Sequence, residues 1–244
     1  MPTRLCLFVV ALVGAAGGDL TNGRMFAQQP APSANANSTD ASQFSCAAAD
    51  ARLRACFTFD GDTKDRSSYG NHANSANVSY VPGKAGKAVS LASKSRVLVA
   101  QHPSLDLSAM TIKMWIRPSS FPVSRREALA GKSEGEARMG IIDGEATYRM
   151  YVQENGIIRC SLTGRPEAYS TVGVPLGEWT RVACTFDGAV MHIYFNGISV
   201  AEVKQAGKIA ASIASMAIGS DFPGSDNFVG EMDQLEIWNA VVAP

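Results

Sequence analysis

Three carboxylates stand close together in the stretch VGEMDQLEIWN: Glu231, Asp233 and Glu236, spaced E-x-D-x-x-E. Paired carboxylates do two kinds of chemistry. Held roughly 5 Å apart on one side of a cleft, they cleave a glycosidic bond, one as nucleophile and the other as acid and then base. Gathered on irregular backbone, carboxylate and amide oxygens instead hold a hard cation such as calcium, which takes about six to eight oxygens at about 2.3–2.6 Å. The bland alternative is a strand decorated with charge.

In a regular strand Glu231, Asp233, Leu235 and Ile237 share one face, while Met232, Gln234, Glu236 and Trp238 share the other. Glu236 is then expected to point away from Glu231, unless a β-bulge adds a residue and realigns the faces. A second acidic group lies far upstream, where Asp60, Asp62, Asp65 and Asn71 crowd a Gly-containing loop. A hydrogen-bonded Asp turn would explain that loop without a metal. Other chemistry finds little support. His72, His102 and His192 are scattered, with neither H-E-x-x-H nor a G-x-S-x-G elbow present. VPGKAGKAV lacks the spacing and the Ser/Thr of a phosphate loop, so its glycines read as turn residues before a strand.

These groups must be positioned by strands. Period-2 alternation recurs along the chain and long helical periodicity does not. MTIKMWIR puts Met110, Ile112, Met114 and Ile116 on one face. WTRVACTF meets Asp187-Gly188, VMHIYF meets Asn196-Gly197, and ISVAEV follows; such dipeptides supply tight hairpin turns, so a three-strand meander is expected. LRACFTF, KAVSLAS, RVLVA, ALAGK, TYRMYVQ, IIRCSLT and SMAIG are further strand candidates. KQAGKIAASIASM tolerates a helix or a loop. Many short strands punctuated by turn residues argue for an all-β, two-sheet antiparallel sandwich.

Five segments carry a family resemblance in register: FTFDGDTKDRSSYGNHA, VPGKAGKAVSLAS, LDLSAMTIKMWIRP, GEWTRVACTFDGAVMHIYFNG and FVGEMDQLEIWN. Together, over roughly Leu53 to Asn239, they resemble the laminin-G-like, concanavalin A-like jelly-roll family of lectins and glucanases. The E-x-D-x-x-E spacing by itself resembles the catalytic strand of laminarinase-type hydrolases. The jelly-roll resemblance implies that the first and last strands are neighbours, and that a structural calcium is held there by Asp60, Asp65, Asn71 and Asp233, with Asp62 in reserve. In the hydrolases the motif lies mid-chain, whereas only AVVAP follows Asn239 here. Catalytic clefts also carry aromatic platforms, and aromatic residues make up 8% of this chain. Trp115, Trp179 and Trp238 are expected to pack on the sheets.

Composition adds context. The 244 residues carry no net charge, so electrostatics gives no reason to expect nucleic acid or an anionic membrane as partner. Arg4 precedes the apolar run LCLFVVALVGAA, and residues 1–27 read as a secretory signal with cleavage after Ala15, Ala16 or Ala27. That run is short for a membrane span. Residues 28–45 read as a flexible tether rich in Ala, Ser, Asn and Pro, and residues 46–244 as the folded domain. With Cys6 in the signal, Cys46, Cys56, Cys160 and Cys184 allow three connectivities. Cys46–Cys56 with Cys160–Cys184 is the favoured one, and buried free thiols at the latter two are the alternative. Arg125, Arg126, Glu127, Lys132, Glu134, Glu136 and Arg138 crowd a candidate loop rim. Asn37 and Asn77 begin N-glycosylation patterns. The expectation is a secreted or extracytoplasmic, non-catalytic module that binds a carbohydrate or an extracellular protein. A glucanase using Glu231 and Glu236, and an architectural surface protein, are the alternatives.

Overall fold

The structure is a computed structural model that describes residues 45–121, 127–132, 147–220 and 227–244. The proposed signal, the tether up to residue 44, Asn37, and the rim residues Arg125, Arg126, Glu134, Glu136 and Arg138 lie outside the described residues. Among the described residues no helix is long and apolar enough to cross a membrane.

In chain order the first strands are β1 (Leu53–Phe57), β2 (Ala73–Ala76), β3 (Ser79–Pro82), β4 (Lys87–Leu91) and β5 (Arg96–Val99). The middle of the chain supplies β6 (Met110–Pro118), β7 (Glu127–Lys132), β8 (Tyr148–Val152), β9 (Ile157–Leu162) and β10 (Ala168–Gly173). The rest are β11 (Thr180–Phe186), β12 (Val190–Phe195), β13 (Ile198–Lys204), β14 (Met216–Ile218) and β15 (Gly230–Trp238). They form two antiparallel sheets. One runs β13-β12-β11-β6-β15-β4-β3, with β1 also paired to β15; the other runs β10-β9-β8-β7-β14-β5-β2. This is the expected two-sheet jelly-roll sandwich. The predicted meander is β11–β13, and KQAGKIAASIASM is a loop up to its last residue, Met216, where β14 begins.

Alternation builds the core. Met110, Ile112, Met114 and Ile116 of β6 pack with Val182, Cys184 and Phe186 of β11 against Met150, Ile158 and Cys160 of the opposite sheet. Full burial of such side chains contributes about 1.5–3 kcal/mol each. Cys160 and Cys184 face one another across this core as free thiols, not as the favoured disulfide. Burial, with each thiol beside the other, pushes the Cys160 thiol well up. Both pack as small hydrophobes.

Cys46 and Cys56 do form a disulfide, with their Cα atoms 6.1 Å apart. Cys56 lies on the outward face of β1 beside Leu53 and Trp238, and Cys46 and Val242 pack over them as a small second cluster. The N- and C-terminal segments thus cover part of the outward face of the first sheet. That face carries the carboxylates.

Candidate functional site

The last strand contains the bulge. Asp233 lies opposite Trp115 of β6, whereas Glu236, three residues later, lies opposite Lys113, only two positions along its partner. Gln234 takes up the extra residue with φ of 52°, a left-handed conformation uncommon for a non-glycine residue. Regular alternation is therefore overturned. Met232, Leu235 and Ile237 all face the core, and Glu231, Asp233, Glu236 and Trp238 all face outward. Glu236 shares the face of Glu231 and Asp233, contrary to the sequence expectation.

Sharing a face does not leave the three equivalent. Glu231 accepts a hydrogen bond from Arg117 Nε at 3.0 Å and is half-buried. Glu236 is buried. Its Oε2 accepts from Trp238 Nε1 at 2.6 Å and lies 3.3 Å from Lys113 Nζ. That ammonium in turn donates to the carbonyl of Ala243, so the C-terminal segment closes over the pair. Each glutamate is thus held by a different cation, and those cations stand four residues apart on β6. Trp115 and Trp179 also face cations, with Lys84 Nζ 4.5 Å from the first ring's centroid and the Arg117 guanidinium 5.0 Å from the second's. Trp238 is buried on the sheet face as expected, whereas Trp115 and Trp179 are half-buried, each with a cation beside its ring.

Asp233 is fully buried and turned towards the loop that joins β3 to β4. Its Oδ2 accepts from Ala85 N at 3.1 Å, while Oδ1 is buried with no hydrogen-bond partner. Burial pushes this carboxyl up to about 7, and the nearby Asp60 charge adds to the rise; amide donors from Ala85, Lys84 and Gln234 oppose it. Asp60 reaches the same loop, where its Oδ1 accepts from Lys87 N at 2.8 Å.

This convergence explains the glycines that sequence reading took for plain turn residues. A Cβ on Gly83 would stand 2.6 Å from Asp233 Oδ2, and one on Gly86 would stand 2.2 Å from Asp60 Oδ1. Gly86 also has φ of +60°. Gly86→Ala is therefore expected to cost about 1–3 kcal/mol by combining strain with a clash, read as a lowered urea midpoint at unchanged slope. An alanine at Gly61, which also has positive φ but has open space around it, separates strain from clash.

The four predicted metal ligands divide into two groups. Asp60 and Asp233 share the Gly83–Gly86 loop. Asp65 and Asn71 form a separate, closed knot beneath β1. Asp65 Oδ1 accepts from Cys56 N and Ser67 N, both at 2.8 Å, and Oδ2 accepts from Ser67 Oγ and Asn71 N, both at 2.7 Å. Asn71 Nδ2 donates to the Arg54 carbonyl at 2.8 Å and to Ser104 Oγ at 2.9 Å. The Asp65 oxygens are already occupied by donors that a cation would have to displace. Asp62, the reserve ligand, pairs with Arg66 near the surface. Among the described residues no three His, Cys, Asp or Glu side chains gather around one point. Asp60 and Asp233 do fit calcium: they supply hard oxygens on irregular backbone, one of them buried without a donor, and backbone carbonyls can complete such a shell.

Residues 91–244 match Laminin_G_3, of the concanavalin A-like lectin/glucanases superfamily, and the chain belongs to that family. Solved structures agree on the fold. Domain 4 of AbnA, a GH43 extracellular arabinanase from Geobacillus stearothermophilus, in complex with arabinotriose, superposes with a TM-score of 0.63 at 18% identity, covering 77% of this chain and 92% of that one. The botulinum neurotoxin serotype C1 binding domain gives 0.58 at 15%, covering 78% of this chain and 49% of that one. Trypanosoma rangeli sialidase in complex with the inhibitor DANA gives 0.52 at 13%, covering 74% and 29%. The chain thus spans less than half the length of the last two. No curated protein matches the sequence.

Proposed function

We propose that the chain is an exported, non-catalytic module that binds a carbohydrate, with a calcium ion tying its last strand to its first loops. The observation that carries this reading is the commitment of Glu236. A nucleophile or acid must reach the scissile bond on the same side of a cleft as its partner. This carboxylate is buried against Lys113 and Trp238 under the C-terminal segment. The E-x-D-x-x-E spacing and the bulge that aligns Glu231 with Glu236 favour a hydrolase, and the burial of Glu236 outweighs them.

Export is supported by the apolar N-terminal run and by the Cys46–Cys56 disulfide, since such bonds persist in oxidising compartments. Carbohydrate is favoured over protein by the arabinotriose named with the AbnA domain, an argument from fold alone. Asp60 and Asp233 would hold the calcium. The ion would neutralise two carboxylates that otherwise repel each other across the Gly83–Gly86 loop.

Without calcium, Asp233 makes stability depend on pH. Its folded value of about 7 lies above the ordinary carboxylate value of 3.8. Between these values the folded protein keeps a proton that the unfolded chain has released, so this contribution falls as pH rises and is level above about 7. At about 1.4 kcal/mol per pH unit over the two units from pH 5 to pH 7, calcium-free protein should lose roughly 2.5 kcal/mol between pH 5 and pH 8 through this group. Asp233→Asn should remove that slope, as measured by urea denaturation in EDTA.

A glycan array probed with the full chain in millimolar calcium tests the binding function. Retention on a defined set of glycans is expected. A blank array at high protein concentration, together with self-association by light scattering, would replace this reading with an architectural surface protein.

A further inference from the structure

The second sheet has an outward face of its own. Tyr148, Met150 and Val152 of β8 and Ile158, Cys160 and Leu162 of β9 face the core, so Arg149, Tyr151, Arg159 and Ser161 face away from it. Across the strands Arg149 is paired with Ser161 on one side and with Gly131 of β7 on the other, and Arg159 lies between Tyr151 and Tyr169 of β10. An outward sheet face is ordinarily solvated, yet Arg149 is 6% and Arg159 is 7% exposed.

The two arginines are provided for very differently. Arg159 is ion-paired with Glu167, and its guanidinium lies 5.6 Å and 5.7 Å from the ring centroids of Tyr151 and Tyr169. Glu167 also accepts a hydrogen bond from Tyr169 OH at 2.6 Å. Arg149 has no carboxylate partner among the described residues, and its Nε is buried without a hydrogen-bond partner. Among the described residues Glu167 is the carboxylate on this face, and it is engaged by Arg159. Burying an uncompensated charge costs several kcal/mol, and an apolar residue of similar volume would serve packing better. A guanidinium kept at that cost is suited to an anion that arrives from outside, because its fork matches carboxylate geometry with two parallel hydrogen bonds.

We infer that the outward face of β8, β9 and β10 is a binding subsite in which Arg149 takes a carboxylate carried on a sugar ring. The tyrosines select the sugar over an acidic peptide. Tyr169, 45% exposed at the rim, offers a ring face on which a pyranose can stack, and Ser161 offers a hydroxyl beside the guanidinium. This inference rests on the carbohydrate-binding reading and names its ligand class. A uronic acid and a terminal sialic acid share this chemistry.

Calorimetry of the full chain in low salt tests the assignment, with trigalacturonate, a short oligosialic acid, neutral galactotriose and arabinotriose as probes. One or both acidic probes should bind, and Arg149→Gln should weaken that binding at least tenfold. Arg149→Lys should fall in between, and Lys94→Gln, an exposed charge elsewhere, should change nothing. Because the guanidinium has no carboxylate partner among the described residues and its Nε is unsatisfied, Arg149→Gln should keep or raise the melting temperature; a variant that loses stability or fails to fold would make this a structural arginine and overturn the inference. Equal binding by wild type and Arg149→Gln would overturn it too. Binding of the neutral probes alone would overturn it and leave the carbohydrate reading standing, whereas binding of none would remove both.

Discussion

Asp65→Ala is expected to be the most damaging single substitution in the domain, lowering stability by about 4 kcal/mol or more. The buried carboxylate accepts four hydrogen bonds, three of them from the backbone amides of Cys56, Ser67 and Asn71. Its removal strands these donors, and each stranded buried donor costs about 1–3 kcal/mol. The knot also fixes the course of the chain after β1, through the bridge between Phe57 and Asp65 and the Asn71 bonds to Arg54 and Ser104. Asp65→Asn keeps one acceptor oxygen and should lose about half as much. The check is urea denaturation in EDTA and again in calcium. Because Asp65 lies outside the proposed calcium pair, its cost should be the same in both. A cost that vanishes in EDTA would place Asp65 among the calcium ligands.

Calcium itself should have the second large effect. At a concentration about 100-fold above its dissociation constant, a ligand of the folded state alone adds about 2.7 kcal/mol, or roughly 5–10 °C in a domain of this size. The gain should appear when EDTA-treated protein is melted with added calcium, and magnesium should substitute poorly because it demands tighter octahedral geometry. Asp233→Asn and Asp60→Asn should each abolish most of the shift. In EDTA, Asp233→Asn should be as stable as wild type or more so near pH 8, since the amide leaves no buried charge. An unchanged melting temperature with calcium would remove the ion from the account.

Much of this arrangement was legible in the residues, and the failures share physical causes. Strands buried on one face announced themselves by alternation, as in Met110 to Ile116 of β6. The strands not foreseen were β2, β3 and β10, and all three are terminal in their sheets. An edge strand pairs on one side only, so ANSA, SYVP and AYSTVG need no strong pattern. The bulge had no turn glycine to mark it, because Gln234 adopts the left-handed conformation. Its signal lay in the apolar spacing instead: Met232, Leu235 and Ile237 are separated by three and then two residues, which one face of a regular strand cannot accommodate. Asp65 and Asn71 belonged in letters to the same acidic loop as Asp60. What separates them is which backbone amides fold over each carboxylate, a tertiary fact. The Gly83 and Gly86 positions were visible, but the carboxylates that require them come from Asp60 and from β15, far away in sequence.

We propose that this chain binds glycans without cutting them, although its last strand carries E-x-D-x-x-E on one face. The most direct test is prolonged incubation of micromolar protein with β-1,3- and β-1,4-glucans and arabinan, scored by reducing-end release beside Glu231→Gln and Glu236→Gln. Release indistinguishable among the three proteins is the predicted result. Turnover by the wild type that disappears in both variants would show that Glu231 and Glu236 are a catalytic pair, and would contradict the account.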